Sequence, residues 1–315
     1  MKNRYNILVT GCGGDIGQSI GKILLESDYV NNLFGIDISD KNAGKFIFER
    51  FHLGPRCSNE NYIQFLENFV KENKIDVVIP VSEPELRFLS KNEILDEIGG
   101  AKLITASLFA LQIGFDKLKT AQFLEENKLP FPISDSIDEV EEVKFFPVIL
   151  KSKTGSGSSQ VYRVEDAESF NWIKAHNSDF VVQEYIDGAK GEFTCGLFRS
   201  KAGDTRNIIL KRELMGGFSG YGEVVENKEI ENLLNVIGDR LKLEGSINVQ
   251  LRLVEKGPLV FEINPRFSST VRFRQMLAFN DLEWSIEDKL GIPLSDYDPN
   301  SVGRKFYKGF NEYIA

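Results

Sequence analysis

Two apolar alternations flank a short polar turn in the last third of the chain. Val249, Leu251 and Leu253 alternate with Gln250 and Arg252. Leu259, Phe261 and Ile263 alternate with Val260, Glu262 and Asn264. Period 2 marks a half-buried strand, and Glu255-Lys256-Gly257-Pro258 between the runs reads as a hairpin turn. A one-residue slip would move every apolar side chain to the wrong face. Burial therefore selects an odd loop, Glu255-Lys256-Gly257, with Gly257 left-handed in a bulge. That loop sets Leu251 opposite Phe261 and Gln250 opposite Glu262. Gln250, Glu262 and Asn264 then converge on one face. A carboxylate and two amide oxygens are hard ligands, of the kind Mg²⁺ accepts alongside substrate phosphates. Arg266 follows past the rigid Pro265.

The pattern changes along the chain. Residues 5 to about 105 alternate strands (Tyr5 to Thr10, Leu33 to Ile38, Ile75 to Pro80, Lys102 to Ile104) with helices (Gln18 to Glu26, Tyr62 to Asn73, Glu83 to Asn92). Such alternation predicts a parallel, doubly wound sheet. Thr105 to Asn127 predicts two helices breaking near Gly114, the second capped by Asp116. From 133 to 186 a small α/β module is expected, with strands near Ile133, at Pro147 to Lys151, Gln160 to Arg163 and Phe180 to Ile186, and a helix at Ala167 to His176. Strands at Phe193 to Phe198, Arg206 to Leu214, Ile247 to Val254 and Leu259 to Asn264 predict a mostly antiparallel sheet, with helices at Ile230 to Leu241 and Leu282 to Leu290. The fold class is thus α/β and α+β, in three units: 1–106, 107–186 with the linker helices, and 187–315.

At 315 residues the chain is long enough for such a division. A net charge of −9 provides no whole-protein field for nucleic acid or an anionic membrane. Cys12, Cys57 and Cys195 are widely spaced, which fits free thiols rather than a disulfide frame or a zinc site, and two histidines exclude a His-rich metal site. The start lacks a signal-peptide core, and no apolar run approaches the ~20 residues of a membrane span. A cytoplasmic protein is expected.

Four further stretches carry candidate chemistry. Thr10-Gly11-Cys12-Gly13-Gly14-Asp15-Ile16-Gly17 follows a strand, opens a helix and has Asp37 about 20 residues on, the dinucleotide fingerprint. No tyrosine has a lysine four residues on, as short-chain dehydrogenase chemistry would need. The glycines could equally serve a tight turn, or point backbone N–H groups at a substrate anion. Lys151 ends a strand and precedes Gly155-Ser156-Gly157-Ser158-Ser159, a loop able to wrap phosphate oxygens. Val181 to Ile186 leads into a turn ending at Glu192. Glu184 and Ile186 could offer backbone groups to an adenine edge and Glu192 its carboxylate to a ribose, although a buried strand and an exposed acid read as well. Lys117 opens a helix. Lys211 and Arg212, ahead of the flexible stretch Met215 to Gly222, are further candidates for phosphate or substrate contact, and a glycine-rich surface loop reads equally well. Glu83 and Glu85 lie where open α/β sheets place ligands, and either could bind a substrate amine or help deprotonate it, or Glu83 could merely cap a helix. Arg272 and Arg274 could bind a substrate carboxylate or form salt bridges.

In this order, Lys117, Lys151, the Gly155–Ser159 loop, Glu184 and Ile186, Glu192, Gln250 and Glu262-x-Asn264-Pro265-Arg266 resemble the ATP-grasp superfamily. The likeness is to short carbamoyl-phosphate-synthase-large-subunit-like members. It covers the whole chain, with 1–105 similar to a pre-ATP-grasp domain. It implies that Lys117 and Lys151 hold ATP phosphates and that the loop closes over them. Glu184 and Ile186 would meet adenine and Glu192 ribose. Gln250, Glu262 and Asn264 would bind one or two Mg²⁺ (or Mn²⁺), and Arg266 would stabilise the transferring phosphoryl group. Many members place Asp or Glu where Gln250 stands, so Mg²⁺ is expected to enter with ATP. The implied activity is an amide-forming carboxylate–amine ligase working through an acyl phosphate, with small-molecule acid and amine substrates, and a homodimer is the assembly expected from the likeness. Carbamoyl or carboxy phosphate chemistry, and an NAD- or nucleotide-binding protein without ligase activity, are the alternatives.

Overall fold

The computed structural model describes residues 4–155 and 160–314. Three sheets follow one another along the chain, and the α/β and α+β organisation expected from the alternation is what forms.

The first sheet contains β1 (Tyr5–Thr10), β2 (Val30–Asp37), β3 (Arg50–Leu53), β4 (Val77–Pro80), β5 (Glu97–Ile98) and β6 (Ala101–Leu103), ordered β3-β2-β1-β4-β6-β5. All pairs are parallel except β5 with β6. Helices α1 (Asp15–Leu25), α2 (Tyr62–Asn73) and α3 (Glu83–Lys91) cover it. The strand order reverses between β1 and β4, where a crevice opens at the carboxyl ends of such sheets. The segments leaving those two strands, Gly11 to Gly17 and Val81 to Glu83, sit at that crevice.

Helices α4 (Leu108–Gly114) and α5 (Lys117–Glu126) follow. Asp116 accepts hydrogen bonds from the N–H groups of Leu118 (2.9 Å) and Lys119 (3.1 Å), as the sequence suggested. The second sheet, β7 (Ser134–Ser136), β8 (Val148–Ser152), β9 (Val161–Val164) and β10 (Phe180–Glu184), is antiparallel in order β7-β10-β8-β9, with α6 (Ala167–His176) beside it. The third is antiparallel too: β11 (Glu192–Arg199), β12 (Thr205–Met215), β13 (Phe218–Val224), β14 (Gly245–Val254), β15 (Gly257–Asn264) and β16 (Lys305–Tyr307), ordered β15-β14-β11-β12-β13-β16. Helix α7 (Lys228–Arg240) lies on one face, and α8 (Val271–Met276) and α9 (Asp281–Leu290) on the other.

Period 2 decides what each face of the third sheet touches. Ile247, Val249 and Leu251 are fully buried in a core shared with α7 and with Leu111, Phe123 and Leu124 of α4 and α5. The opposite face carries Thr194, Asn248, Gln250 and Arg252. Phe267, Val271, Leu282 and Ile286 join Ile7, Val9 and Ile20 in another core. The end of the third sheet is thereby packed against the first, which fixes the glycine loop relative to β15.

Several expectations need correction. The β14–β15 turn is even, not odd: Val254 pairs with Gly257 across Glu255 and Lys256. Gly257 does take a positive φ (115°), but as the first paired residue of β15. The register is restored further on by a bulge at Phe261, because Leu251 pairs with Val260 and Gln250 with Glu262. The core-facing residues of β15 are therefore Val260 and Ile263, and Phe261 turns away from that core. Met215 to Gly222 is no loose loop. Gly216 and Gly217 (φ 61° and 88°) make a two-residue turn that needs glycine, and Phe218 begins a strand. The short strands β3, β5 and β16 and helix α8 carried too little periodicity to be foreseen.

Candidate active site

One cavity of about 600 Å³ lies where the three sheets meet. Its size suits a nucleotide-sized ligand. Its walls include the glycine loop (Gly11, Gly14, Gly17), Lys117, Lys151, Gly155, Glu184 and Ile186. The third sheet adds Glu192, Gln250, Glu262, Asn264 and Arg266. Thus ten of the residues singled out in sequence converge: Lys117, Lys151, Gly155, Glu184, Ile186, Glu192, Gln250, Glu262, Asn264 and Arg266. Lys211 does not line it, since in β12 its neighbour Arg212 takes the inward face. Ser156, Gly157, Ser158 and Ser159 lie outside the described residues.

The two lysines are held differently. Lys151 is buried, and its Nζ donates to Gln183 Oε1 (2.9 Å) and to the backbone oxygen of Phe261 (3.0 Å). An ammonium has three donors, so one is left for a ligand in the cavity. Burial pushes its pKa down to about 8, with Glu262 opposing the shift and Lys117 and Arg252 adding to it. Lys117 sits in the first turn of α5. Its backbone N–H donates to Lys153 O (2.9 Å), its Nζ donates to Gly155 O (2.8 Å), and that Nζ lies 3.8 Å from Glu262 Oε1. The helix is thereby tied to the strand end and loop of the second sheet.

Across the cavity, Glu262 and Asn264 share a face two residues apart on β15. Gln250 is paired opposite Glu262, but its Oε1 accepts a hydrogen bond from Arg212 Nη2 at 2.8 Å. Among the described residues no group of three or more His, Cys, Asp or Glu side chains could hold a metal. One carboxylate with a neighbouring amide does fit Mg²⁺, which keeps several waters and takes one or two carboxylates plus phosphates. Arg266 Nη1 donates to Phe267 O (2.9 Å). Burial lowers the Arg266 pKa, with Glu83 and Glu262 opposing.

The glycine loop closes on itself on its other side. Asp37 accepts from the N–H of Gly13 (2.8 Å) and of Ser39 (3.2 Å). Asn42 lies directly over Gly13, where a Cβ would fall 2.3 Å from its Cγ. The acid that the dinucleotide fingerprint would send to a ribose is thus bonded into the loop. The loop's open side faces the cavity shared with Lys117 and Arg266.

Two domain families match this architecture. The ATP-grasp domain matches residues 115–270, and the PylC-like N-terminal domain matches residues 7–104. Residues 115–270 are thus identified as an ATP-grasp domain. It is 26% identical over 234 residues to the carbamoyl phosphate synthase large chain of Thermoplasma acidophilum, a match covering 65% of this chain. This chain spans only 22% of that relative's length. A solved N5-carboxyaminoimidazole ribonucleotide synthetase in complex with ADP superposes with a TM-score of 0.76 at 15% identity, covering 97% of this chain and 81% of that one. An L-amino acid ligase from Bacillus licheniformis gives 0.72 at 19% identity, covering 97% and 79%. At those identities the likeness is one of fold. Much of the cavity's wall comes from residues within that ATP-grasp domain, with the glycine loop of the preceding domain at its edge.

The sequence left some of the site unread. Arg252 shares a face with Gln250 by period 2, a signal that was present. Gln183 and the Phe261 carbonyl hold Lys151, and nothing local announces either. Glu85 is fully buried, accepting from Thr10 Oγ1 (2.6 Å) and from the Tyr62 hydroxyl, so it braces the switch point and does not face the cavity. Burial pushes its pKa up against those hydrogen bonds. Glu83 does line the cavity, paired with Arg87 at 2.7 Å. Arg272 pairs with Glu26 (2.6 Å), and Arg274 is buried against Asp281 (3.1 Å).

Proposed function

We propose that the protein is an ATP- and Mg²⁺-dependent carboxylate–amine ligase. The observation that supports this most is the grouping of Lys117, Lys151, Glu262, Asn264 and Arg266 around one cavity that continues to the glycine loop. Lys151 offers its remaining donor, and Lys117 its charge, to ATP phosphates. Glu184 and Ile186 border the place for adenine. Glu262 and Asn264 hold Mg²⁺, which when bound offsets phosphate charge. Arg266 is placed between the Glu262 side and the glycine loop, where a γ-phosphoryl group would meet an acid. A substrate carboxylate oxygen attacks the γ-phosphorus and ADP leaves. The amine nitrogen then attacks the acyl carbon, phosphate leaves, and the amine loses a proton to solvent. The protein supplies positioning and fixed charge, with no nucleophile of its own. The first turn of α1, at Asp15, Ile16 and Gly17, borders the cavity, and a helix N-terminus favours an anion such as the substrate acid. A cytoplasmic location and a homodimer belong to the same proposal.

The test is ADP release screened over pairs of small carboxylates (bicarbonate included) and amines, with product masses read out. Release that requires both partners, with an amide-forming mass change, is expected. Release with bicarbonate alone would redirect the reading to carboxy phosphate chemistry. No stimulation by any pair, with tight NAD(H) binding, would overturn it.

A further inference from the structure

Arg212 is a nearly buried cation (side chain 8% exposed) in the nucleotide cavity with no task so far. The strand register sets Arg212, Glu192 and Arg252 in one row across β12, β11 and β14. Arg212 Nε and Nη2 both reach Glu192 Oε1 (3.1 and 2.8 Å), and Arg252 Nε and Nη2 both reach Glu192 Oε2 (3.0 and 2.8 Å). Arg252 Nη1 also donates to Ile186 O at 2.6 Å. A carboxylate has about four acceptor positions, and four N–H groups fill them. The carboxylate is outnumbered by two guanidiniums, so the row keeps a net positive charge. Arg212 carries that charge to the next row, where its Nη2 donates to Gln250 Oε1.

The consequence concerns the metal. Gln250 is uncharged, and Glu262 is the one carboxylate facing it across the β14–β15 ladder. A Mg²⁺ on the second lone pair of Gln250 Oε1 would sit about 4 Å from the Arg212 guanidinium. Arg212 cannot easily withdraw, because the Glu192 pair holds it and Arg252 holds Glu192. We infer that the site takes a single Mg²⁺, at Glu262 and Asn264, and that Arg212 fills the place of a second ion at Gln250. This rests on the ATP reading of the cavity. It also gives Gln250 a reason to be an amide: a carboxylate there would attract either a second metal ion or the guanidinium into a full ion pair.

The experiment counts Mn²⁺ bound per chain by the electron paramagnetic resonance signal of free Mn²⁺, with the protein saturated by a non-hydrolysable ATP analogue. One tight Mn²⁺ is expected. The count should stay at one in Gln250→Ala and in Arg212→Lys, and the affinity should fall about tenfold or more in Glu262→Gln. Arg212→Met, if folded by circular dichroism, should gain a second, weaker ion. Two ions per wild-type chain, or loss of the single ion in Gln250→Ala, would overturn the inference. So would an unchanged count in folded Arg212→Met. An analogue that does not bind at all overturns the ATP reading as well, whereas a count of two leaves that reading standing.

Discussion

The hairpins β14–β15 and β12–β13 both turn on two residues, and both carry one unpaired residue in the returning strand. In β15 it is Phe261, between Val260 opposite Leu251 and Glu262 opposite Gln250. In β13 it is Gly220, between Ser219 opposite Leu214 and Tyr221 opposite Glu213. A bulge releases backbone groups from the ladder, and the two hairpins use the freed carbonyl differently. Phe261 O accepts from the buried Lys151 ammonium at 3.0 Å, whereas Gly220 O accepts from the backbone N–H of Lys308 at 2.8 Å. The same local device anchors a buried lysine at the cavity in one place and pins a chain segment in the other. The difference lies in what each bulge faces: the second sheet across the cavity, or the strand beside it.

The largest effect should come from the face that the first bulge restores. Glu262→Gln keeps the shape of the side chain and removes its charge. ADP release should fall about 10²–10³-fold, as for loss of a group that stabilises transition-state charge, with the far-UV spectrum unchanged. Near-normal turnover would break the link between that face and the chemistry.

Deleting Phe261 comes next. The deletion leaves Gln250 opposite Glu262 in a regular ladder, so the face carrying Glu262 survives while Lys151 loses an acceptor. Hydrogen bonds to charged groups contribute about 1.5–3 kcal/mol, so nucleotide binding should weaken about tenfold or more in a folded protein. Unchanged affinity would show that the carbonyl is incidental.

The third prediction follows from Lys151 titrating near pH 8. On the proposed reading, nucleotide binding needs the ammonium. Affinity should therefore be full below pH 7 and fall about tenfold by pH 9, one unit above the pKa. Stability has the opposite sign. The unfolded chain, with its ordinary lysine pKa, binds more protons between about pH 8 and 10.5, so this residue's contribution rises with pH across that window. Calorimetric titration and denaturant melts over the same pH range separate the two trends. Arg in place of Lys151 should remove both.

The smallest effect belongs to the second hairpin. Deleting Gly220 likewise leaves Leu214 opposite Ser219 and removes one backbone hydrogen bond. That should cost about 1 kcal/mol or less in chemical denaturation and leave nucleotide affinity unchanged. A large loss of affinity would mean that the two bulges are not as separate as their contacts suggest.

These hairpins also show how much could be read in advance. Burial demanded that Gln250 face Glu262, and that pairing forms. The device that achieves it was misread, because an odd turn and an even turn followed by a bulge give the same pairing beyond Phe261. Only packing chooses between them, by placing Val260 rather than Phe261 in the core with Leu251. Lys117, Lys151, Glu262, Asn264 and Arg266 were legible because each follows a strong local signal: a cap, a strand end or an alternation. Gln183 was obscured because its meaning depends on strands far away in sequence, and Lys211 and Arg212 were both candidates for the same reason. Lys211 and Arg212 are adjacent, and only the register of β12 against β11 decides which of them faces Glu192.

On the proposed reading, the cavity binds ATP through a lysine held by the β15 bulge. Isothermal titration with a non-hydrolysable ATP analogue and Mg²⁺, and separately with NADH, is the direct test. Saturable binding of the Mg²⁺–nucleotide, competition by ADP, affinity about a hundredfold lower in Lys151→Met, and no heat with NADH are expected. Binding of NADH without the Mg²⁺–nucleotide, or equal affinity in folded Lys151→Met, would contradict it.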